Sequence, residues 1–348
     1  MEVEPAKVYC RRFSMPATER HERLPEKEAM RDLAHGKTML RAAATTLVAL
    51  LLASTGAAFA DKPPYPDIAD TSHATRKVAE IFRGFFTAKS AHDPVELMTY
   101  FAADPVLYID ASSGNRWPTH QSLTDVFTRF LPNAKPDALS YPLRIVGDEH
   151  SALVEFEDTP ALFGAELRIL GSVTFDDKGR IVRWIDYWDG RSSQRKTQIA
   201  PSYPTDFHDG VVNASPKIER TADALQKAFA AGDAAAATAL FSFDAVYEDM
   251  AAHTRVVGQL QIGRYLARAL PDVPYGRGAS VAHVVGGDTG GGYEWHAGPS
   301  AAPMRRGNTE LALDADGKIT RFVTIYDSGL LPDEEYRRLV LLAGESSP

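Results

Sequence analysis

The chain is poor in cysteine, with one among 348 residues, and that one, Cys10, lies in the leader. A mature chain starting near Asp61 would have no disulfide framework and no thiolate metal ligand. Clustered Lys and Arg are also missing. The net charge is −8, so phosphate-backbone binding and anionic membranes are excluded as partners. No His/Asp/Glu spacing forms a metal site, no glycine run sits in a phosphate-binding context, and no Ser-His-Asp set stands out. We therefore expect neither a metal nor a cofactor. The longest apolar stretch, about a dozen residues within 39 to 60, falls short of the roughly 20 residues of a membrane span.

That run belongs to a separate segment. Residues 39 to 60 have a short basic start, an apolar stretch and a small-x-small ending at Ala58-Phe59-Ala60. This pattern is that of a cleavable signal peptide. The expectation is a periplasmic or secreted protein with no membrane attachment after cleavage. Residues 1 to 38 read as a disordered leader or a start-site artefact.

What the chain has in abundance is repetition. PVLYIDAS, IVGDEHSALVEFEDTP and VTFDDKGRIVRWIDYWD, between residues 105 and 189, are answered by AVYEDMAA, VVGGDTGGGYEWHAGP and LALDADGKITRFVTIYD, between residues 245 and 327. Matched positions stay 138 or 139 residues apart, which marks two copies of one unit. We place the first domain at 72 to 191, a polar linker at 190 to 214, the second domain at 215 to 330, and an added helix and tail at 331 to 348. Copy one opens with Val78, Ile81, Phe82 and Phe85 at helical spacing. Asp93-Pro94 starts a second helix, and Leu123, Val126, Phe127 and Phe130 mark a third. Strands follow near 141 to 147, 151 to 158, 166 to 175 and 180 to 188. Helices followed by antiparallel strands give an α+β fold, here two tandem cones of three helices each on a curved, mostly antiparallel sheet. The open end of such a cone is a natural apolar pocket.

The stretch LRILGSVTFDDKGRIVRWIDYWD resembles the C-terminal hairpin of the nuclear transport factor 2 superfamily, and within it the limonene epoxide hydrolases. The superfamily resemblance covers both copies; the enzyme-level one is confined to copy one. It implies that Asp186 stands where those enzymes have an acid, Asp158 where they have its partner carboxylate, and Tyr108 where they have a water-positioning tyrosine. Asp110 stands in place of their asparagine, and Phe156 in place of the arginine bridging the two carboxylates. Tyr247-Glu248-Asp249, and less closely Tyr108-Ile109-Asp110, resemble the strand of ketosteroid isomerases that carries the proton-shuttling aspartate. SnoaL-like polyketide cyclases are similar to the same fold.

Side chains alternate across a strand, so Trp184, Asp186 and Trp188 share one face, while Ile185 and Tyr187 share the other. Trp184, Trp188 and Phe156 are the expected ligand-lining aromatics. Were Asp158 and Asp186 within about 4 Å and without a cation between them, repulsion of roughly 4 kcal/mol would lift one carboxyl by about three pKa units. Such a pair could take a proton with one member and give one with the other. Copy two has Ala297 and Thr324 at the two carboxylate positions. It is either a structural partner whose sheet packs on copy one as in a homodimer, or a second pocket using Tyr247, Asp249, Trp295 and His296. Two functions stay open: an exported enzyme doing carboxylate acid–base chemistry on a small apolar molecule (epoxide hydration, isomerisation or cyclisation), and a non-catalytic ligand-binding or scaffold protein. Further homodimerisation is compatible with both.

Overall fold

A computed structural model of the chain describes residues 62–191, 207, 213–301 and 304–344. The leader, the signal-peptide segment, Cys10 and most of the linker lie outside these residues. The sequence patterns place the helices well. Thr75 accepts a hydrogen bond from the Val78 N–H and opens α1 (Arg76–Ser90), which buries Val78, Phe82 and Phe85. Asp93 caps α2 (Pro94–Met98) through the Val95 and Glu96 N–H groups, as its side-chain type favours. β1 (Asp70–Ala74), an edge strand the repeat gave no sign of, precedes α1. β2 (Leu107–Asp110), β3 (Asn115–Trp117) and α3 (His120–Phe130) follow. Then come β4 (Ser140–Gly147), β5 (Ser151–Asp158), the short α4 (Pro160–Phe163), β6 (Leu167–Phe175) and β7 (Ile181–Trp188). The seven-stranded sheet has the order β1-β4-β5-β6-β7-β2-β3, parallel only at β1–β4 and β2–β7.

Copy two repeats this order with α5 (Pro216–Ala231), α6 (Ala234–Thr238), β8 (Phe241–Asp249), β9 (Thr254–Val257) and α7 (Gln259–Ala269). β10 (Ser280–Gly286), β11 (Gly290–His296), β12 (Arg306–Leu313) and β13 (Ile319–Tyr326) complete a six-stranded sheet in the order β10-β11-β12-β13-β8-β9. The added helix α8 spans Asp333–Leu341. The fold is thus two α+β cones in tandem. Among the described residues no helix is long and apolar enough to cross a membrane.

The outer faces of the two sheets meet, and the strand alternation explains how. Arg183 and Tyr187, on the β7 face opposite Trp184 and Asp186, both reach Glu294 of β11, at 2.5 and 2.8 Å. Glu294 also meets Arg306 of its own sheet at 3.4 Å. The matched set in copy one has the same form: Glu155 pairs with Arg168 of its own sheet and with Arg321 of the other at 3.7 Å. The ends of the sheets are tied reciprocally, since Asp189 accepts from the Ser328 N–H and Asp327 accepts from the Gly190 N–H. These exchanged contacts give the pair of copies an approximate two-fold relation. Burial alone would raise the Glu294 carboxyl, but Arg183 and Arg306 outweigh it and hold it at about 2. Glu310, which has no acidic counterpart in copy one, is raised by burial and by the neighbouring Glu155.

Gly292 of β11 has no room for a side chain: a Cβ there would run into the Thr309 carbonyl of the paired strand β12 and then the Leu153 side chain of copy one. One expectation needs correction here, since the linker is not wholly polar. Phe207 is buried, its carbonyl accepts from Arg183 Nε, and its ring lies 3.6 Å from the Arg306 guanidinium.

Candidate active site

The inner face of the copy-one sheet and the apolar face of α3 enclose a cavity of about 230 Å³. Leu123, Val126, Phe127 and Phe130 of α3 line it, together with Trp117, Phe163, Leu167, Ile169 and Trp188. This explains why α3, although strongly amphipathic, fully buries only Leu123: Val126, Phe127 and Phe130 each give part of their surface to the cavity, while Phe127 also packs on Phe101 and Tyr108 and Phe130 stacks on Phe163. Asn115 is exposed, and Phe130 and Phe163 are half-buried; they mark the outer part of the cavity. The polar groups are deeper. Lys89, Tyr108, Asp110, Asp158 and Asp186 all line the same space.

Asp186 is held from two sides. Trp184 Nε1 donates to one carboxyl oxygen at 2.5 Å, and the Tyr108 hydroxyl donates to the other. Strand pairing sets this up, because β2 runs parallel to β7 with Tyr108 beside Trp184 and Asp110 beside Asp186. Burial raises the Asp186 carboxyl to about 7, against the lowering effect of the Tyr108 and Trp184 hydrogen bonds and of Lys89, while Asp110 adds to the rise. Asp110 accepts from Trp188 Nε1 at 2.8 Å and from the Ser113 N–H at 2.9 Å. Burial raises it too, against those hydrogen bonds. The Tyr108 hydroxyl, pushed well above its ordinary value by burial and by Asp186, stays protonated.

Asp158 differs from expectation. It does not stand as an uncompensated negative charge beside Asp186, because Lys89 Nζ lies 3.0 and 3.3 Å from its two oxygens. The cation that Phe156 cannot supply therefore comes from a helix instead of the strand, and the Lys89 ammonium sits 4.9 Å from the Phe156 ring centre. The rise at Asp186 comes chiefly from burial, with Asp110 as the contributing carboxylate. Lys89 is brought in by the end of α1: Ser90 Oγ donates to the Ser140 carbonyl and accepts from the Ser140 N–H, fastening the helix to β4 beside Asp158. A signal for Lys89 exists in the sequence. It continues the stripe Val78, Phe82, Phe85 at helical spacing, where an apolar residue is the rule.

The aromatic expectations divide. Trp188 lines the cavity. Trp184 and Phe156 stand behind the wall, in the core rather than at the ligand surface. Trp184 stacks on Phe85 at 4.7 Å and lies edge-on to Phe156 at 6.1 Å. Trp184 acts on the site through its hydrogen bond to Asp186 and through its ring, stacked on that of Tyr108 at 5.9 Å.

In copy two, Asp249 is fully buried and accepts hydrogen bonds from the Ala252 N–H and from Tyr275 and Tyr326. Tyr247 reaches it through the Tyr275 hydroxyl. Burial lifts the Asp249 carboxyl to about 6 against these hydrogen bonds. Trp295 is buried and donates to Thr309. His296, expected beside Asp249, is exposed at the end of β11, since alternation sends it to the face opposite Trp295.

No family model matches the chain, and no curated protein matches it. Solved structures do. A steroid delta-isomerase from Pseudomonas aeruginosa is 16% identical, with 38% of this chain and 93% of that one covered and a TM-score of 0.30. An NTF2-like protein of unknown function from Mesorhizobium loti is 22% identical over 36% of this chain and 98% of that one, with a TM-score of 0.29. A candidate SnoaL-like polyketide cyclase from Shewanella putrefaciens is 12% identical over 34% and 83%, with a TM-score of 0.30.

Proposed function

We propose that copy one is an acid–base enzyme for a small apolar molecule, with Asp186 as the proton-transferring group and isomerisation or cyclisation as the reaction class. One observation carries this reading: a carboxyl titrating at about 7 lines an apolar cavity. A group with that value is present in both forms near neutrality, so it can accept a proton in one step and return it in the next. The cavity is smaller than the ~300–1,000 Å³ of ordinary ligand pockets, which fits a single ring or short chain. Epoxide hydration is a second reading, favoured by the Tyr108 hydrogen bond to Asp186 and by the Lys89–Asp158 pair, a cation and a carboxylate on the opposite side from Tyr108 in the sheet order. Copy two serves as the sheet that covers copy one. The small-x-small motif ending at Ala60 supports export as part of this reading; mass spectrometry of the exported chain would show an N-terminus near Asp61.

The test is turnover of terpene epoxides and of unsaturated cyclic ketones by the mature chain and by Asp186→Asn. Conversion of one class by the wild type, and its loss in the variant, supports the proposal. Equal turnover by both proteins removes Asp186 from the mechanism. Saturable binding without turnover of either class supports a binding protein instead.

A further inference from the structure

Among the described residues Lys89 is the one lysine that is buried. Its side chain and that of Asp158, its ion-pair partner, are 8% and 3% exposed, and both line the copy-one cavity. The fold does not require this pair. Helix caps Thr75 and Ser215, and again Asp93 and Asp233, are 140 residues apart, so Phe229 is the counterpart of Lys89. Phe229 is fully buried against Tyr275 and Phe322. Ala297 stands for Asp158, so copy two builds the same architecture with an apolar pair at these positions. A buried ion pair is commonly no more stabilising than apolar residues of similar volume, and the pair in copy one therefore answers to something other than packing. A lysine amine in an apolar pocket is a nucleophile toward carbonyl carbon. Here a carboxylate oxygen lies 3.0 Å from its nitrogen, within reach for proton transfer, and Phe127, Ile169 and Trp188 offer room for a hydrocarbon body.

We infer that Lys89 is a reversible covalent site for small apolar aldehydes, which it binds as a protonated imine. The site shares the cavity of the function proposed above but needs no proton transfer by Asp186. The ammonium passes a proton to the Asp158 carboxylate, and the freed amine nitrogen bonds to the aldehyde carbon. The carbonyl π pair moves onto oxygen, which takes the proton from Asp158. The nitrogen, now positive, returns one of its two protons to Asp158, which delivers it to the new hydroxyl. The C–O bond breaks, water leaves, and the nitrogen lone pair closes the C=N bond. One aldehyde is consumed and one water released, with nothing oxidised or reduced. The adduct keeps the positive charge of the ammonium and one N–H, so its counter-ion is still Asp158. Acylation of the same amine would remove that charge and leave Asp158 buried without a cation, which is costly. Aldehydes suit an enclosed site better than ketones, because their carbonyl carbon carries hydrogen in place of a second carbon.

The experiment treats the full chain with benzaldehyde and sodium cyanoborohydride, which reduces the protonated imine to a stable benzylamine. Tryptic mapping reads the site: benzylated Lys89 is not cut, so residues 84 to 116 appear as one peptide. Binding in the cavity before reaction predicts labelling of Lys89 ~10-fold or more faster than that of Lys77, which is exposed. Toluene, which has the same ring and no carbonyl, should slow labelling of Lys89 saturably and leave Lys77 unchanged. Lys89 labelled no faster than Lys77, or at a rate that toluene does not alter, overturns the inference. Asp186→Asn separates this site from the proposed function. Fast labelling of Lys89 in that variant supports the inference whether or not the variant still isomerises ketones. Loss of the label in Asp186→Asn would contradict a site independent of Asp186.

Discussion

Replacing Asp186 with Asn should make the protein more stable at alkaline pH, and the size of the gain follows from the site. The Asp186 carboxyl titrates at 3.8 unperturbed and at about 7 in the fold, because burial disfavours its ionised form. The folded state therefore holds this proton more tightly than the unfolded chain does. Stability from this group is complete below the unfolded value and falls as pH rises through about 7. A displacement of about three units at 1.4 kcal/mol each amounts to about 4 kcal/mol above pH 8. An asparagine can keep the neutral hydrogen bonds, its carbonyl accepting from Trp184 Nε1 and its amide donating to the Tyr108 oxygen. Urea unfolding of wild type and variant at about pH 4.5 and about pH 8.5 gives two stability differences. The difference should move by about 3 kcal/mol in favour of the variant between them. Asp249, raised to about 6 in both proteins, cancels in the comparison. A difference that does not change with pH, or that moves in favour of the wild type, refutes the reasoning about burial.

Two further substitutions test other parts of the structure. Arg183→Met removes the cation nearest Glu294 in the interface between the sheets; leaving that charge with one arginine should cost about 3–5 kcal/mol in urea unfolding, and a loss under about 1 kcal/mol would mean the exchanged ion pairs do not hold the copies together. Gly171→Ala would put a Cβ 3.0 Å from Trp184 Nε1 and 3.2 Å from Asp186 Oδ1. A loss of about 1–3 kcal/mol is expected, together with reduced turnover, and wild-type turnover would show that the Trp184–Asp186 hydrogen bond does not set the geometry.

Much of this molecule was legible from repetition and period. Spacing gave the tandem cones, the stripe on α1, the Asp93 cap and the shared face of Trp184, Asp186 and Trp188, because each depends on local geometry that the chain states directly. The site was less legible where it depends on packing between distant elements. Lys89 reaches Asp158 only because Ser90 fastens α1 to β4, a contact across 50 residues. Alternation put Trp184 on the right face but could not show that Phe85 covers it and keeps it from the cavity. The same limit applied to Gly290 and Gly292 of β11, whose neighbours include Val146 and Leu153 of the other copy.

The central claim is that Asp186 moves a proton to and from a bound small molecule. It is tested most directly by exchange of the α-hydrogens of cyclohexanone in deuterated buffer near neutral pH, followed by proton NMR. The account predicts exchange above the buffer rate with the wild-type protein and at the buffer rate with Asp186→Asn. Exchange at the buffer rate with the wild type, or equal acceleration by both proteins, would contradict it.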